Sequence, residues 1–270
     1  MNVLNKLRLL ALAGSLVLTI NCSKNSDDND GIDPDGIDKS ANLLATGDSA
    51  NDILSNDTFT KLQIEIAYVS GFQPSTEAIT NFQTFLQTRT FKQDIEILYN
   101  ELPSSNENDL SLQEIANLES GNRTAYNDGN TLAIYIYFAD APSEDDDPIE
   151  GTFTLGAVYR NTSMIIHEST VRELALQSSQ VTIEDVETAT LNHEFGHLLG
   201  LVDLGTTPVN DHEDPNATHH CDTQGCLMRA ELQFGSGIMG MLNSRVSKGS
   251  AAVPGLDAEC ILDLQQNGGQ

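Results

Sequence analysis

Apolar residues alternate with polar ones, or run continuously, in five short segments of the chain. These segments have the length and the β-branched or aromatic composition typical of strands: residues 62–69, 95–99, 132–138, 155–160 and 163–167. The run at 132–138 is apolar at both alternating sets of positions, so we expect it to be buried on both faces of a sheet. Only a short connection separates the last two segments, which predicts a hairpin.

Apolar residues recur at helical spacing between and after these strands. The spacing predicts a helix over residues 75–89 and a short one over 112–118. A second long helix begins near Thr182, which forms a capping box with Asp185, and it ends at Gly200 in the position that favours a left-handed glycine. The order of elements predicts an α+β fold: a mixed, twisted sheet of about five strands with an antiparallel edge strand, and two long helices packed on it.

The first residues resemble a secretory signal rather than part of a fold. Lys6 and Arg8 precede an apolar run at 9–20, which is shorter than the roughly 20 residues that a membrane-spanning helix needs. Residues 1–21 are therefore predicted to be a signal peptide. Cys22 follows a loose version of the lipoprotein processing box, so we expect it to be acylated; secretion with an unmodified cysteine is the alternative.

Residues 22–60 are rich in Asp, Asn, Ser and Gly and have almost no apolar periodicity. The segment contains nine Asp against two Lys, so we expect a disordered acidic tether. Its Asp-Gly-Ile-Asp sequence occurs twice, at residues 30–33 and 35–38. Calcium binding there is a weaker interpretation, because no distal Glu completes an EF-hand pattern. The predicted globular domain is then residues 61–270.

The whole chain is strongly acidic. Its 270 residues contain 40 Asp and Glu against 13 Lys and Arg, a formal charge of -27. This balance disfavours nucleic acid as a partner and electrostatic binding to anionic lipid. Membrane association is therefore expected only through the lipid at Cys22, at the outer membrane or cell surface.

The predicted helix that ends at Gly200 carries the sequence His-Glu-x-x-His. His193 and His197 are one helical turn apart on the same face, so both imidazoles can reach one zinc ion. Glu194 follows the first histidine and is a candidate to take a proton from the attacking water. The pattern continues as x-x-Gly-x-x-Asp, ending at Asp203.

This extended pattern resembles metzincin-like zinc peptidases of the snapalysin type, in which Asp replaces the usual third His. The resemblance covers about 200 residues. It implies that Cys226-Leu227-Met228 forms the Met-turn beneath the metal, with Met239 as a weaker candidate for the methionine, and that residues 256–264 form a closing helix after a loop-rich C-terminal part. The residues after Cys22 are similar to those of surface lipoproteins of Bacteroidetes-type bacteria.

The third zinc ligand stays open at the level of sequence. The resemblance implies Asp203, but the polar loop that follows contains three of the six histidines of the chain, and any of them could take this place. These alternatives are His212, His219 and His220.

Three cysteines remain once Cys22 is acylated, and an odd number cannot all pair. A disulfide between Cys221 and Cys226 is the preferred pairing, with Cys260 able to replace either partner. The Cys-x4-Cys-x-Met spacing also resembles archaemetzincins, whose cysteines bind a second zinc. Structural calcium in the acidic loop 140–147 is a further, weaker expectation.

Together these features predict a monomeric zinc endopeptidase that hydrolyses peptide bonds in a polypeptide substrate, which lies along the edge strand near residues 155–159. The alternative is a surface lipoprotein that keeps zinc for structure or partner binding and hydrolyses nothing. Glu194 argues against this alternative, because a purely structural zinc site has four protein ligands and needs no base.

Overall fold

The computed structural model describes residues 38–233 and 235–270. The predicted signal peptide, Cys22 and most of the Asp-Gly-Ile-Asp repeats lie outside the described residues. The described chain contains both α-helices and β-strands. The helices are α1 (Ala50–Leu54), α2 (Thr76–Arg89), α3 (Leu112–Asn122), α4 (Glu168–Ala175), α5 (Ile183–Leu198), α6 (Gly235–Ser247) and α7 (Ala258–Gln266). The strands are β1 (Lys61–Val69), β2 (Asp94–Leu102), β3 (Thr131–Phe138), β4 (Gly156–Arg160), β5 (Ser163–Ile166), β6 (Glu213–Asp214) and β7 (Ala217–Cys221).

The main sheet of the described chain has five strands in the order β2-β1-β3-β5-β4. Strand β1 pairs in parallel with β2 and β3, and β5 pairs in parallel with β3. Strand β4 pairs antiparallel with β5 and lies at the edge, where its outer side is free to pair with an extended peptide. The predicted mixed sheet with an antiparallel edge strand is therefore confirmed.

Strand β3 is the centre of two apolar layers. Its residues Leu132, Ile134 and Ile136 belong to the larger core, which also contains α2 and α5, whereas Tyr135 and Tyr137 belong to a smaller core on the other face. Every residue from 132 to 138 is buried. The prediction that this strand is buried on both faces is confirmed.

Helix α5 begins as the sequence predicts. The Thr182 hydroxyl accepts from the Asp185 backbone N–H, and the Asp185 carboxylate accepts from the Thr182 N–H. The helix ends before Gly200, whose φ of +79° is the left-handed conformation. A Cβ atom at Gly200 would lie 2.5 Å from the Thr206 hydroxyl oxygen and 2.9 Å from Ala50 Cβ, so the chain can turn tightly here because this residue has no side chain.

The structure differs from the predicted tether at residues 38–60. Helix α1 buries Ile53 and Leu54 completely in the larger core. Asn42 is also fully buried, and its amide donates to Ala133 O and Asn127 Oδ1. The composition of this segment did not predict that it packs on the domain, because most of its residues are polar. It is held in place by one buried, hydrogen-bonded asparagine and one short apolar helix. The described domain therefore begins before residue 61.

Helices α4 and α6 are not predicted from the sequence. Helix α4 is amphipathic but has only eight residues and follows directly on β5, and α6 is rich in glycine, which has a low helix propensity. No helix in the described part of the chain is both long enough and apolar enough to span a membrane.

Two carboxyl groups are buried together between α4 and α5. Glu168 and Glu187 are fully buried; Arg172 Nε lies 2.5 Å from Glu168 Oε1, and the Ser75 N–H faces both Glu187 oxygens at 3.2 and 3.1 Å. Burial, together with the neighbouring Glu187 charge, raises the pKa of Glu168 to about 9 despite Arg172. Near neutral pH, Glu168 therefore keeps its proton.

This raised pKa predicts a specific pH dependence of stability. The folded state binds the Glu168 proton more tightly than the unfolded chain, whose carboxyl has a pKa near 4.5, so stability is lost as pH rises from about 4.5 to about 9. Glu168→Gln removes this loss, and we expect the variant to be more stable than the natural protein by roughly 1 to 3 kcal/mol at pH 9 and to approach it at pH 4.5.

Urea unfolding at the two pH values measures the difference. Glu173→Gln is the matched control, because Glu173 is exposed on the same helix and should leave the pH dependence unchanged. Equal pH dependence in Glu168→Gln and the natural protein would contradict the assigned proton.

Candidate metal centre

Three imidazoles converge beneath the edge strand. Helix α5 places His193 and His197 one turn apart, and the hairpin of β6 and β7 brings His220 against them. One ring nitrogen of each residue lies within 4.8 Å of the others. The ring centroids are 5.0 Å apart for His193 and His197, 5.4 Å for His193 and His220, and 5.2 Å for His197 and His220.

In His193 and His220, a hydrogen bond to one ring nitrogen leaves the other ring nitrogen free to bind a metal. His193 Nδ1 lies 2.8 Å from Leu227 O, and His220 Nδ1 lies 2.9 Å from Thr218 O. A carbonyl can only accept, so Nδ1 carries the hydrogen in both rings, and Nε2 has a lone pair. Both Nε2 atoms, and Nδ1 of His197, are buried without a hydrogen-bond partner among the described residues. The lone pairs on Nε2 of His193 and His220, with one ring nitrogen of His197 close to the other two rings, fit a metal cation.

The three rings are neutral, which is the form that binds a metal. Burial lowers the pKa of His193 to about 3 and the pKa of His197 well below its ordinary value. Burial also lowers the pKa of His220. No proton therefore has to be displaced from these rings when a cation binds near neutral pH.

Glu194 lies beside this group and makes no hydrogen bond within the described chain. Its side chain is fully buried and both carboxylate oxygens lack a partner. Burial raises the pKa of Glu194 to about 8, a shift that a nearby metal cation would oppose. The edge strand contacts this side chain: a Cβ atom at Gly156 would lie 2.7 Å from Glu194 Cγ. Glycine at 156 is thus what lets β4 pass directly over the carboxylate.

Asp203, the third ligand that the sequence favours, does not join the three imidazoles. The turn after Gly200 does occur, but Val202 and Asp203 both adopt positive φ angles, 55° and 58°. The Asp203 side chain is exposed and lines a different cavity together with Asp211 and Glu213. The third position beside His193 and His197 is occupied by His220, one of the alternatives that the sequence left open.

The other two alternative histidines lie elsewhere. His219 precedes His220 on β7 and has a partly exposed side chain; its Nδ1 lies 3.4 Å from Val202 O. His212 is buried, and its Nε2 lies 2.8 Å from Asp263 Oδ2 on α7. The concentration of histidines between 212 and 220 was the signal available in the sequence, but only the hairpin determines which one faces α5.

The predicted disulfide between Cys221 and Cys226 is absent from the structure. Cys221, Cys226 and Cys260 are free, buried thiols. Cys226 Sγ lies 3.6 Å from Cys260 Sγ, and His212 Nδ1 lies 3.4 Å from Cys221 Sγ. The thiols converge with a histidine, which is the arrangement of a metal site rather than of a single bridge.

Four groups of this second cluster have ligand atoms within 4.8 Å of one another: His212, Cys221, Asp257 and Cys260. The neighbouring thiols lower the pKa of Cys221, whereas the pKa values of Cys226 and Cys260 are raised, so Cys221 is the thiol of the three that most readily becomes a thiolate. Asp263 holds the outer nitrogen of His212, as a carboxylate commonly does for a metal-bound histidine. Asp257, Cys260 and Asp263 were not predicted as members of a site.

No comparable group of three or more ligands occurs in loop 140–147 of the described chain. Two of its carboxylates bind loop backbone instead: Asp146 accepts from Thr154 N–H at 2.7 Å, and Asp147 accepts from Ile149 N–H at 2.9 Å. The structure therefore adds no support to the expectation of calcium in this loop.

Met228, which the resemblance implies for the Met-turn, lies against the helix that carries His193 and His197. It is fully buried and packs against α5, because a Cβ atom at Gly196 would lie only 2.3 Å from Met228 Sδ. Its carbonyl accepts from Cys221 N–H at 2.7 Å, next to His220. Met239, the weaker candidate, is on α6.

A cavity of about 590 Å³ opens onto this centre. Glu194, His197 and His220 line it, and Ala157 and Val158 of the edge strand form one wall. The same cavity is lined by His167, a fully buried residue at the end of β5 that the sequence did not single out. The group of imidazoles is thus accessible from the side that faces β4.

No family model matches the chain, and no curated protein matches it. Among solved structures it is similar to archaemetzincin from Methanopyrus kandleri, with 15% identity and a TM-score of 0.48, over 77% of this chain and 96% of that one. It is also similar to metalloproteinase-II from Bacteroides fragilis, with 14% identity and a TM-score of 0.38, over 81% of this chain and 60% of that one.

The close contact between Gly196 and Met228 can be tested directly. Gly196→Ala forces Met228 out of its position, so we expect it to lower the free energy of unfolding by about 1 to 3 kcal/mol. Gly240→Ala on α6 is the control, because a Cβ atom there has no neighbour within 4 Å. Urea unfolding of Gly196→Ala, Met228→Ala and the double variant completes the cycle. If the double variant loses as much free energy of unfolding as the two single variants together, the two residues do not interact.

Proposed function

We propose that this protein is a zinc-dependent peptidase. The observation that carries the proposal is the juxtaposition of three neutral, buried imidazoles with a buried carboxylate whose two oxygens have no partner within the described chain, on the wall of an open cavity. A site built only for structure would leave no open side and would need no carboxylate of this kind. The cavity and Glu194 therefore favour catalysis over the alternative of a structural zinc protein.

His193, His197 and His220 are proposed as the zinc ligands. Their unpartnered nitrogens supply three neutral donors, and Leu227 O and Thr218 O orient the rings of His193 and His220 from behind. A zinc ion held there would polarise a scissile carbonyl and lower the pKa of a water molecule toward about 7.

Glu194 then acts as the proton carrier. Its carboxylate accepts a proton from the attacking water and passes it to the nitrogen of the leaving amine. The fully buried position excludes bulk water from the carboxylate, and the backbone of β4 at Gly156 holds it beside the imidazoles. Neither carboxylate oxygen accepts a hydrogen bond from the described chain, so both are available for the two proton transfers.

The substrate is proposed to be an extended polypeptide. Ala157 and Val158 of β4 line the cavity, and β4 is the edge strand of the sheet. An edge strand offers backbone N–H and C=O groups at regular spacing, which an extended peptide can match. A small molecule would make no use of this feature.

Zinc content and peptide cleavage test the assignment together. We expect His220→Ala to lose one equivalent of zinc and Asp203→Ala to keep it, because His220 lies with His193 and His197 in the described chain and Asp203 does not. Glu194→Gln should keep the zinc and lower kcat/KM for peptide cleavage by about 100-fold or more. Mass spectrometry of the metal content and a peptide-library digest provide the two readouts. Full activity in zinc-loaded Glu194→Gln would exclude the proposed mechanism.

A second zinc ion is proposed at the cysteine cluster, with a structural role. Cys221, Cys260 and His212 supply three donors, and Cys226 or Asp257 completes four. Four protein ligands that leave no open position on the metal are typical of a structural site. We expect Cys260→Ser to lose one zinc equivalent and to unfold more readily, and His220→Ala with Cys260→Ser to lose both equivalents.

Cobalt substitution separates the two sites. Thiolate ligands give cobalt a strong near-ultraviolet charge-transfer absorption, which should disappear in Cys260→Ser more than in His220→Ala. Comparing Cys226→Ser with Asp257→Asn identifies the fourth ligand. If Cys260→Ser retains two equivalents of zinc and the full absorption, the cysteines do not bind a metal.

A further inference from the structure

The catalytic cavity has a polar end that the proposed reaction does not use. It is formed by Ser143 and Asp145 from the loop after β3, and by His167 from the end of β5. This end adjoins the reacting groups, because the His167 N–H donates to Leu155 O at 2.8 Å and the next residue, Gly156, contacts Glu194. A substrate side chain placed there lies close to the scissile bond.

His167 presents a hydrogen-bond acceptor to this end of the cavity. The residue is only 1% exposed, and its Nδ1 lies 2.9 Å from Ala141 O. The carbonyl can only accept, so Nδ1 carries the hydrogen and Nε2 carries a lone pair. Burial lowers the pKa of His167 and keeps the ring neutral. Nε2 makes no hydrogen bond within the described chain, although the ring lines the cavity.

A negative charge lies beside this acceptor. Asp145 is exposed and lines the cavity, and it forms no ion pair with any described lysine or arginine. None of the residues that line the cavity is a lysine or arginine. The charge of Asp145 is therefore available to a ligand.

The cavity also has apolar lining residues. Leu112 and Val158 are two of them. The methylene stem of a lysine or arginine packs well on such a surface while its charged end reaches polar groups beyond it. A neutral acceptor, a carboxylate and an apolar wall thus match one type of substrate side chain.

We propose that Ser143, Asp145 and His167 form a specificity subsite that binds a lysine or arginine side chain of the polypeptide substrate. The cationic end donates to the Asp145 carboxylate and to His167 Nε2, and its stem lies against Leu112 and Val158. Acidic side chains are excluded by the charge of Asp145. This inference rests on the proposed peptidase function, and it names the substrate class of that site.

The first test maps cleavage sites. The zinc-loaded protein digests a mixed peptide library, and the products are sequenced by mass spectrometry. We expect lysine or arginine to be enriched at one fixed position relative to the cleaved bond. Asp145→Asn should lower kcat/KM about five- to tenfold for a lysine peptide and leave the matching norleucine peptide unchanged.

Glu144→Gln is the matched control, because Glu144 is the neighbouring exposed acid on the same loop and does not line the cavity. Charge reversal sharpens the comparison: Asp145→Lys should shift the preference toward acidic side chains, and Glu144→Lys should not. Equal behaviour of the two positions, or cleavage with no enrichment of basic residues, would overturn the subsite.

A binding measurement separates this proposal from the peptidase itself. Zinc-loaded Glu194→Gln, immobilised, selects peptides from the same library, and a second selection uses Glu194→Gln with Asp145→Asn. We expect basic residues to be enriched in the first selection and reduced in the second. If the natural protein cleaves nothing but this difference appears, the peptidase proposal fails and the subsite stands. If the natural protein cleaves peptides but the two selections show the same enrichment, the peptidase proposal stands and the subsite fails.

Discussion

The burial of α5 is the constraint on which the rest of the structure depends. Every residue from 186 to 198 is buried, so each polar side chain on this stretch needs a partner inside the protein. Glu187 finds one in Ser75 N–H. Thr190 Oγ1, Asn192 Oδ1, His193 Nε2 and both oxygens of Glu194 do not find one within the described chain. The last three of these atoms are the ones that the proposed cation and substrate would satisfy.

The segment from Cys226 to Met228 connects the two clusters of candidate metal ligands. Leu227 O holds the His193 ring, while the adjacent Cys226 thiol contacts Cys260. Met228 packs against α5 at Gly196, and its carbonyl binds the backbone of Cys221. A change that orders the cysteines therefore also orders Leu227 and Met228, which contact His193 and α5. The segment 226–228 thus supports the group of imidazoles through backbone and packing contacts.

Many individual features could be predicted from local sequence because their causes are local. The capping box at Thr182 and Asp185, the left-handed Gly200 and the doubly buried strand β3 all follow from residues close together in the chain. Features that depend on contacts between distant segments could not be predicted in the same way. Asn42 is buried through hydrogen bonds to residues more than 80 positions away, so a segment that is polar in composition is nevertheless part of the domain.

The sequence by itself determined that His193 and His197 share one face of a helix with Glu194 beside them, because the helical repeat alone places residues four apart together. It also determined the order of strands and helices that forms the mixed sheet. Only the tertiary structure decided that His220 rather than Asp203 meets these histidines, and that His212 lies with the thiols of Cys221 and Cys260 instead of beside a Cys221–Cys226 bridge. Both outcomes depend on where the β6–β7 hairpin and α7 place these side chains, and a local pattern contains no information about the direction from which a distant loop returns.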